Sequence, residues 1–386
     1  MSLMQTRFLA SLEGINHGRL RLITPEGHRH SFGSDGPEAE IQISDWALLS
    51  ALARRGDVGF GESHIAGHWD SPDLEALLTL AIRNLDHLGS QGRQGLLAGL
   101  RFRMIDRLRA NTLAGSSRNI RAHYDVGNEF YQLWLDPGMS YSSALFDGTD
   151  DLETAQARKN DRILSRLASG ERVLEIGCGW GGFAERAADT GRHVTGLTLS
   201  PAQKGYADAR LDGRADIRLQ DYRHASGRFD NIVSVEMIEA VGERYWPTYF
   251  SALKARLAPG GRAVVQAITV PDAEFSVYRK RSDFIRQHIF PGGMLPSPAI
   301  LAHQGAKAGL ELRGSFSFGK DYARTCRIWA ARMAEAAPRI RKYGYDAAFL
   351  RGWRYYLEGC AATFATGRTD VVQVEYAHAE GAALAA

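Results

Sequence analysis

From residue 150 onward, short apolar runs of strand length alternate with longer stretches whose apolar positions recur every three or four residues. The runs predict strands at 172–177, 193–198, 216–220, 229–235, 262–269, 310–317 and 370–377. The longer stretches predict helices at 151–168, 181–190, 201–210, 245–258, 297–308 and 321–334. Seven strands taken in turn with helices predict an α/β domain with an open, doubly wound parallel sheet and ligand loops at the strands' carboxyl ends. Residues 271–296 are long and irregular, carrying Arg279-Lys280-Arg281 and then Ile289-Phe290-Pro291-Gly292-Gly293. A loop of that length inside a domain is usually functional, and it is read as a lid-like insertion.

Residues 1–90 follow another pattern. Leu20 to Ile23 alternates, Thr24-Pro25-Glu26-Gly27 is a turn, and His28 to Phe32 reads as the hairpin partner. Ala39 to Ile43 alternates again, and Asp45 is placed to cap a helix through Ala53. Gly56 to Glu62 reads as a structural glycine turn. Ser71-Pro72-Asp73-Leu74-Glu75 then predicts a helix through about Leu85, with a hydroxyl cap, proline at the first position and acids in the first turn. The expected organisation is a small α/β domain over 1–90, a linker helix over 91–121 and the large domain over 122–386.

The linker carries the strongest charge signal. Arg93, Arg101, Arg103, Arg107, Arg109, Arg118 and Arg121 face one acid, Asp106, while Leu97, Leu100, Met104 and Leu108 recur at helical spacing. Such a helix suits a membrane surface, or equally a solvated linker whose apolar stripe packs on the next domain. Elsewhere charge decides little: the net charge is +3, with 44% hydrophobic and 24% charged residues. That gives no case for nucleic acid. Cys178, Cys326 and Cys360 are far apart and lack metal-ligand spacing, so no disulfide framework or metal is expected. No run approaches the ~18–20 apolar residues of a spanning helix. The expected location is cytoplasmic, peripheral to the membrane.

Chemistry enters at Val173-Leu174-Glu175-Ile176-Gly177-Cys178-Gly179-Trp180-Gly181-Gly182. A buried strand runs into glycines at alternate positions, which take positive φ and let a ligand lie against bare backbone. A dinucleotide fingerprint has G-x-G-x-x-G spacing and its acid about 20 residues later. Glu175-x-Gly177-x-Gly179-x-Gly181 instead resembles the first motif of S-adenosylmethionine-dependent methyltransferases; the plain alternative is a tight turn without ligand. Cys178 reads as a small packed residue.

Further segments extend that likeness: His123 to Asn128, Leu135-Asp136-Pro137, Tyr141-Ser142, Gln220-Asp221-Tyr222-Arg223, Phe290-Pro291-Gly292-Gly293 and Phe318-Gly319-Lys320-Asp321-Tyr322. Taken in order over roughly two-thirds of the chain, they resemble the cyclopropane fatty acid synthase family. The resemblance implies a seven-stranded methyltransferase sheet and transfer of a one-carbon unit from S-adenosylmethionine to the cis double bond of an unsaturated acyl chain. The implied substrate is phospholipid in the inner membrane leaflet; a homodimer is left open. Tyr141, Ser142, Glu175, Gly177, Gly179, Gly181, Thr198, Gln203, Gln220 and Asp221 match cofactor-binding positions. In the family a bound bicarbonate takes the proton that the alkyl cation loses. Glu239, Tyr322 and the backbone amide of Ile268 match its binding residues. Ser143 stands where the family has cysteine, and Gln266 where it has histidine. Gln266 cannot become a cation, so an oxyanion there has less charge assistance. Ring closure and ring-free methylation both remain open. So do two rival functions: a methyltransferase for a small soluble molecule, and a non-catalytic lipid- or cofactor-binding relative.

Overall fold

The structure, a computed structural model, describes residues 2–91 and 126–379. The basic stretch 93–121 and the opening His123-Tyr124-Asp125 of the family motif lie outside the described residues. Chain compactness divides the molecule into two units. One takes the N-terminal region together with 280–289 and 326–368; the other takes most of the remainder. The expected domain over 122–386 therefore gives up two segments to the N-terminal unit.

In the N-terminal unit, β1 (Arg19–Ile23), β2 (Arg29–Gly33), β3 (Glu38–Ile43) and β4 (Trp69–Asp70) form a sheet in the order β2-β1-β3-β4. The alternation of β1 and β3 buries Leu20, Leu22, Ile41 and Ile43. Gly56 to Glu62 is not a turn. Gly56 (φ 58°) ends one helix, and Asp57–Ile65 forms the next. A Cβ at Gly59 would lie 2.1 Å from the Ala51 carbonyl oxygen, and one at Gly61 would lie 2.5 Å from the Phe284 ring. These glycines let elements pack closely rather than bend the chain. The helix expected from Ser71 begins later, at Leu74–Arg83. Its cap is Asp73, which accepts from the Ala76 amide at 2.8 Å, so Pro72 precedes the cap. The helix Ala347–Ala365 belongs here because Arg351 donates to the His64 and Trp69 carbonyls and to Asp70.

The larger unit holds β5 (Arg172–Ile176), β6 (His193–Thr198), β7 (Asp216–Leu219), β8 (Phe229–Val235), β9 (Leu257–Thr269), β10 (Leu310–Ser317) and β11 (Asp370–His378). The sheet order is β10-β11-β9-β8-β5-β6-β7. The seven strands stand where their patterns predicted, but the sheet is mixed. β7, β6, β5, β8 and β9 run parallel, whereas β11 lies antiparallel between β9 and β10. Central strands such as β5 are buried on both faces, since helices cover both sides. The expected loop at 271–296 contains the helix Asp272–Tyr278 and a π-helical turn at Ile285–Ile289.

Candidate active site

β5 delivers Glu175 and the glycine loop together. Gly177, Gly179 and Gly181 have φ of 82°, 53° and 85°. Their surroundings differ. A Cβ at Gly179 would meet nothing within 4 Å, whereas one at Gly177 would press on Met237. One at Gly181 would meet Ala207 and Leu211 at 3.2 Å. Gly179 therefore faces open space, while Gly181 admits the helix Pro201–Leu211 rather than a ligand. Glu175 is buried, its Oε2 has no hydrogen-bond partner, and burial lifts its pKa to about 8 against the pull of Lys159. A buried acid with an unmet oxygen beside an open glycine cradle fits the cationic amino-acid end of S-adenosylmethionine.

The next two strands end alongside. The amides of Gly177 and Cys178 both donate to Leu197 at the end of β6, 2.9 Å away. One residue on, Thr198 Oγ1 donates to Gln203 Oε1 at 2.8 Å, and both are buried. Gln220, just past β7, donates its amide to the Thr198 carbonyl at 3.0 Å, and its side chain to the His224 carbonyl at 2.7 Å. Asp221 is taken up by its neighbour: Arg223 holds both carboxylate oxygens, keeping the pKa low. The Tyr141 ring lies tilted against Tyr131 at 5.5 Å, which in turn lies 5.1 Å from Trp180 of the loop. Trp180 donates to Asn128 at 2.8 Å. Ser142 is buried; its hydroxyl accepts from Lys159 at 2.9 Å and its carbonyl from Gln156 at 2.8 Å. The ten residues expected at the cofactor thus meet at the ends of β5, β6 and β7 and the segment before them, with Gly181 and Asp221 in structural roles.

The second cluster forms where β8 and β9 end, and its centre is a residue that sequence reasoning passed over. Glu236 has φ 50°, a left-handed conformation rare for a side-chain-bearing residue and common at functional sites. Its half-buried side chain gathers three donors. The Ser143 amide reaches Oε1 at 2.9 Å, the Gln266 side chain reaches Oε1 at 2.7 Å, and the Tyr322 hydroxyl reaches Oε2 at 2.6 Å. The Ser143 hydroxyl turns away to the Ala144 carbonyl. Glu239 stands apart, accepting from the Ile268 amide through Oε1, with Oε2 buried and unpartnered. Burial first, and then the charge of Glu236, raise the Glu239 pKa to about 8. Glu239 therefore keeps its proton at neutral pH. Burial raises the Glu236 pKa as well, with its three donors and Lys159 pulling the other way. Two neighbouring carboxyls, one with three donors and one with a single amide, are an arrangement suited to acid–base work.

All donors expected to hold a bicarbonate are thus occupied: Ser143, Gln266 and Tyr322 by Glu236, and Ile268 by Glu239. The Phe290-Pro291-Gly292-Gly293 turn closes on the same point, since the Met294 amide donates to the Glu239 carbonyl at 2.9 Å.

The signals for the overlooked residues were in the chain. On the helix Leu152–Ser165 the buried stripe runs Leu152, Ala155, Gln156, Lys159, Asn160 and Ile163. Three polar residues on an apolar face argue for a polar site beneath it. Lys159 is buried among Glu236, Asp136 and Glu175, and burial lowers its pKa. Among the described residues, no helix is long and apolar enough to cross a membrane, and no cluster of His, Cys, Asp and Glu is set to hold a metal.

Residues 112–374 match the family model described as mycolic acid cyclopropane synthetase. The chain is 38% identical over 381 residues to the tuberculostearic acid methyltransferase UfaA1 of Mycobacterium tuberculosis, covering 92% of this chain and 87% of that one. It is 33% identical to the cyclopropane-fatty-acyl-phospholipid synthase of Escherichia coli K12, covering 88% and 87%. The mycolic acid cyclopropane synthase CmaA1, solved with SAH and CTAB, superposes with a TM-score of 0.63 at 28% identity, covering 67% of this chain and 97% of that one. With the glycine loop, the seven-stranded sheet and these likenesses in agreement, the chain belongs to the mycolic acid cyclopropane synthetase family of S-adenosylmethionine-dependent methyltransferases.

Proposed function

We propose that this protein methylates the cis double bond of unsaturated phospholipid acyl chains, and that Glu236 is its base in place of a bound bicarbonate. The observation that carries the reading is the convergence of Ser143, Gln266 and Tyr322 on the Glu236 carboxylate. S-adenosylmethionine supplies an electrophilic methyl when bound. Glu175 and the open face of Gly179 would hold it, with Thr198, Gln203 and Gln220 at the neighbouring strand ends. The alkene's π pair forms the new C–C bond as the C–S bond breaks, leaving a neutral thioether and a carbocation on the adjacent chain carbon. The Glu236 carboxylate takes one proton from the carbons flanking the cation, and that C–H pair becomes a new double bond. Glu239, held protonated, keeps a second negative charge out of the pocket.

A carboxylate tethered to the backbone reaches fewer protons than a free oxyanion, so the product is an unsaturated methyl-branched chain rather than a ring. The greater likeness to a relative named as a methyltransferase than to one named as a cyclopropane synthase supports this. The arginines of 93–121 supply the attraction to an anionic, cytoplasmic membrane face.

Labelled S-adenosylmethionine and unsaturated phospholipid vesicles test the reading. Ring and ring-free products share one mass, so NMR distinguishes them: vinyl protons are expected, and cyclopropane protons alone would overturn it. Glu236→Gly should abolish turnover until added bicarbonate restores it. Full activity of that variant without an added anion removes Glu236 from the chemistry.

A further inference from the structure

Gln266 does not act alone. β9 and β11 pair in register, with Gln266 opposite Gln373, and on β11's other side Gln373 lies opposite Phe316 of β10. Gln266 and Gln373 are both fully buried within strands that are otherwise apolar here, Val264-Val265-Gln266-Ala267 and Val371-Val372-Gln373-Val374. Their side chains are bonded: Gln373 Nε2 donates to Gln266 Oε1 at 2.9 Å. Arg162, from the helix Leu152–Ser165, donates to Gln373 Oε1 at 2.5 Å. Its guanidinium lies over the Phe316 ring at 4.0 Å. A continuous line therefore runs across the sheet from Arg162 through Gln373 and Gln266 to the Glu236 carboxylate.

The direction of that line is set by its ends. Arginine has only donors, so it accepts only the oxygen of Gln373 as partner. That turns the Gln373 amino group to the oxygen of Gln266, and the Gln266 amino group to Glu236. With the end cation absent, Gln373 is free to reverse and Glu236 alone holds the orientation of Gln266; a reversed Gln266 would point its oxygen at a carboxylate.

We propose that Arg162 and Gln373 are positioning residues for Glu236, a two-amide relay that carries the polarity of a cation from the rim of the sheet to the base. Gln266 cannot itself carry a charge; the cation stands two side chains away instead. This inference rests on the reading of Glu236 as the base. The other groups that face Glu236 are Lys159 from the helix Leu152–Ser165, Tyr322 from the helix Gly319–Lys342, and Glu239 from the turn after β8. None of them is altered in the test.

Gln373→Glu is the sharpest probe. It keeps the shape of the side chain and adds an ion pair with Arg162, yet it accepts from both neighbours and so reverses Gln266. Weaker support for the ionised base raises its pKa, so the acidic limb of the pH–rate profile moves up. Gln373→Glu and Arg162→Met should each move that limb up by about one unit and lower kcat about ten-fold. The KM for S-adenosylmethionine should stay unchanged, and Arg162→Lys, which is also a pure donor, should restore the profile. A purely structural role predicts losses that follow Tm instead, with Gln373→Glu at least as stable as the unaltered protein. Unshifted profiles in both variants overturn the relay, as does Arg162→Lys failing as badly as Arg162→Met; that arginine pair decides the matter should Gln373→Glu not fold. Glu236→Gln separates the two claims. If it is crippled while the relay variants behave normally, only the relay fails; if it is fully active, the reading of Glu236 fails with it.

Discussion

The glycine loop after β5 and the carboxylate pocket at the ends of β8 and β9 are built in opposite ways. The loop is a backbone site. Its shape comes from alternate residues in one short run whose φ values glycine adopts cheaply. The pocket is a side-chain site, assembled from Ser143, Glu236, Glu239, Gln266, Ile268 and Tyr322 on separate segments. Each region buries an acid whose pKa rises to about 8, Glu175 in the loop and Glu239 in the pocket. Only the pocket adds a second acid three residues away, one that gathers three donors. The comparison teaches that contiguity makes a site legible, while the assignment of charge depends on which donors the fold brings together.

Filling the loop should give the largest effect. Gly179→Val puts a branched side chain into space that is open in the structure, at φ 53°. Binding of S-adenosylmethionine by calorimetry should fall below detection in a folded variant; unchanged affinity would show that the cofactor lies elsewhere. The pocket should respond in the complementary way. Glu236→Gln is expected to cost about 10²–10⁴ in turnover, the usual range for a positioned base, with cofactor affinity nearly intact. Loss of affinity and turnover together would merge the two regions into one.

Lys159 connects them, since its charge reaches both Glu175 and Glu236. Lys159→Met removes the cation that opposes burial at each acid, so both pKa values rise. The pH optimum should move toward alkali by about one unit, and an unmoved optimum would mean that the lysine serves only to hold Ser142. The smallest effect concerns stability. Glu239 keeps its proton in the folded chain up to about pH 8, whereas its ordinary value is 4.5. Between those values the folded protein binds a proton that the unfolded chain has released, so stability falls as pH rises through that window. Glu239→Gln carries no such dependence. Its Tm relative to the unaltered protein should climb from about pH 4.5 to pH 8 and then level, and a constant difference would remove the buried proton.

Much of this was legible beforehand, and the exceptions share a cause. The seven strands, the glycine loop and the polar residues near it follow from local pattern. Gly56 to Glu62 misled because glycines that permit close helix packing look, in sequence, like glycines that make turns. Glu236 was overlooked beside Glu239 for a related reason. The two acids sit in one short run, Val235 to Glu239, and nothing local says which of them Ser143, Gln266 and Tyr322 will reach.

The sequence by itself determined the periodicities that become strands and helices, the backbone freedom of the loop, and the presence of a polar Gln266 in an apolar strand. These are properties of neighbouring residues. Only the tertiary structure decided that β11 enters antiparallel between β9 and β10, and so brings Gln373 against Gln266. Only it decided that Arg162 closes the line and that Glu236 takes the donors. Those contacts join residues from 30 to 211 positions apart. Their energy comes from excluding water around polar groups that must then satisfy one another, and that condition exists only once the sheet has formed.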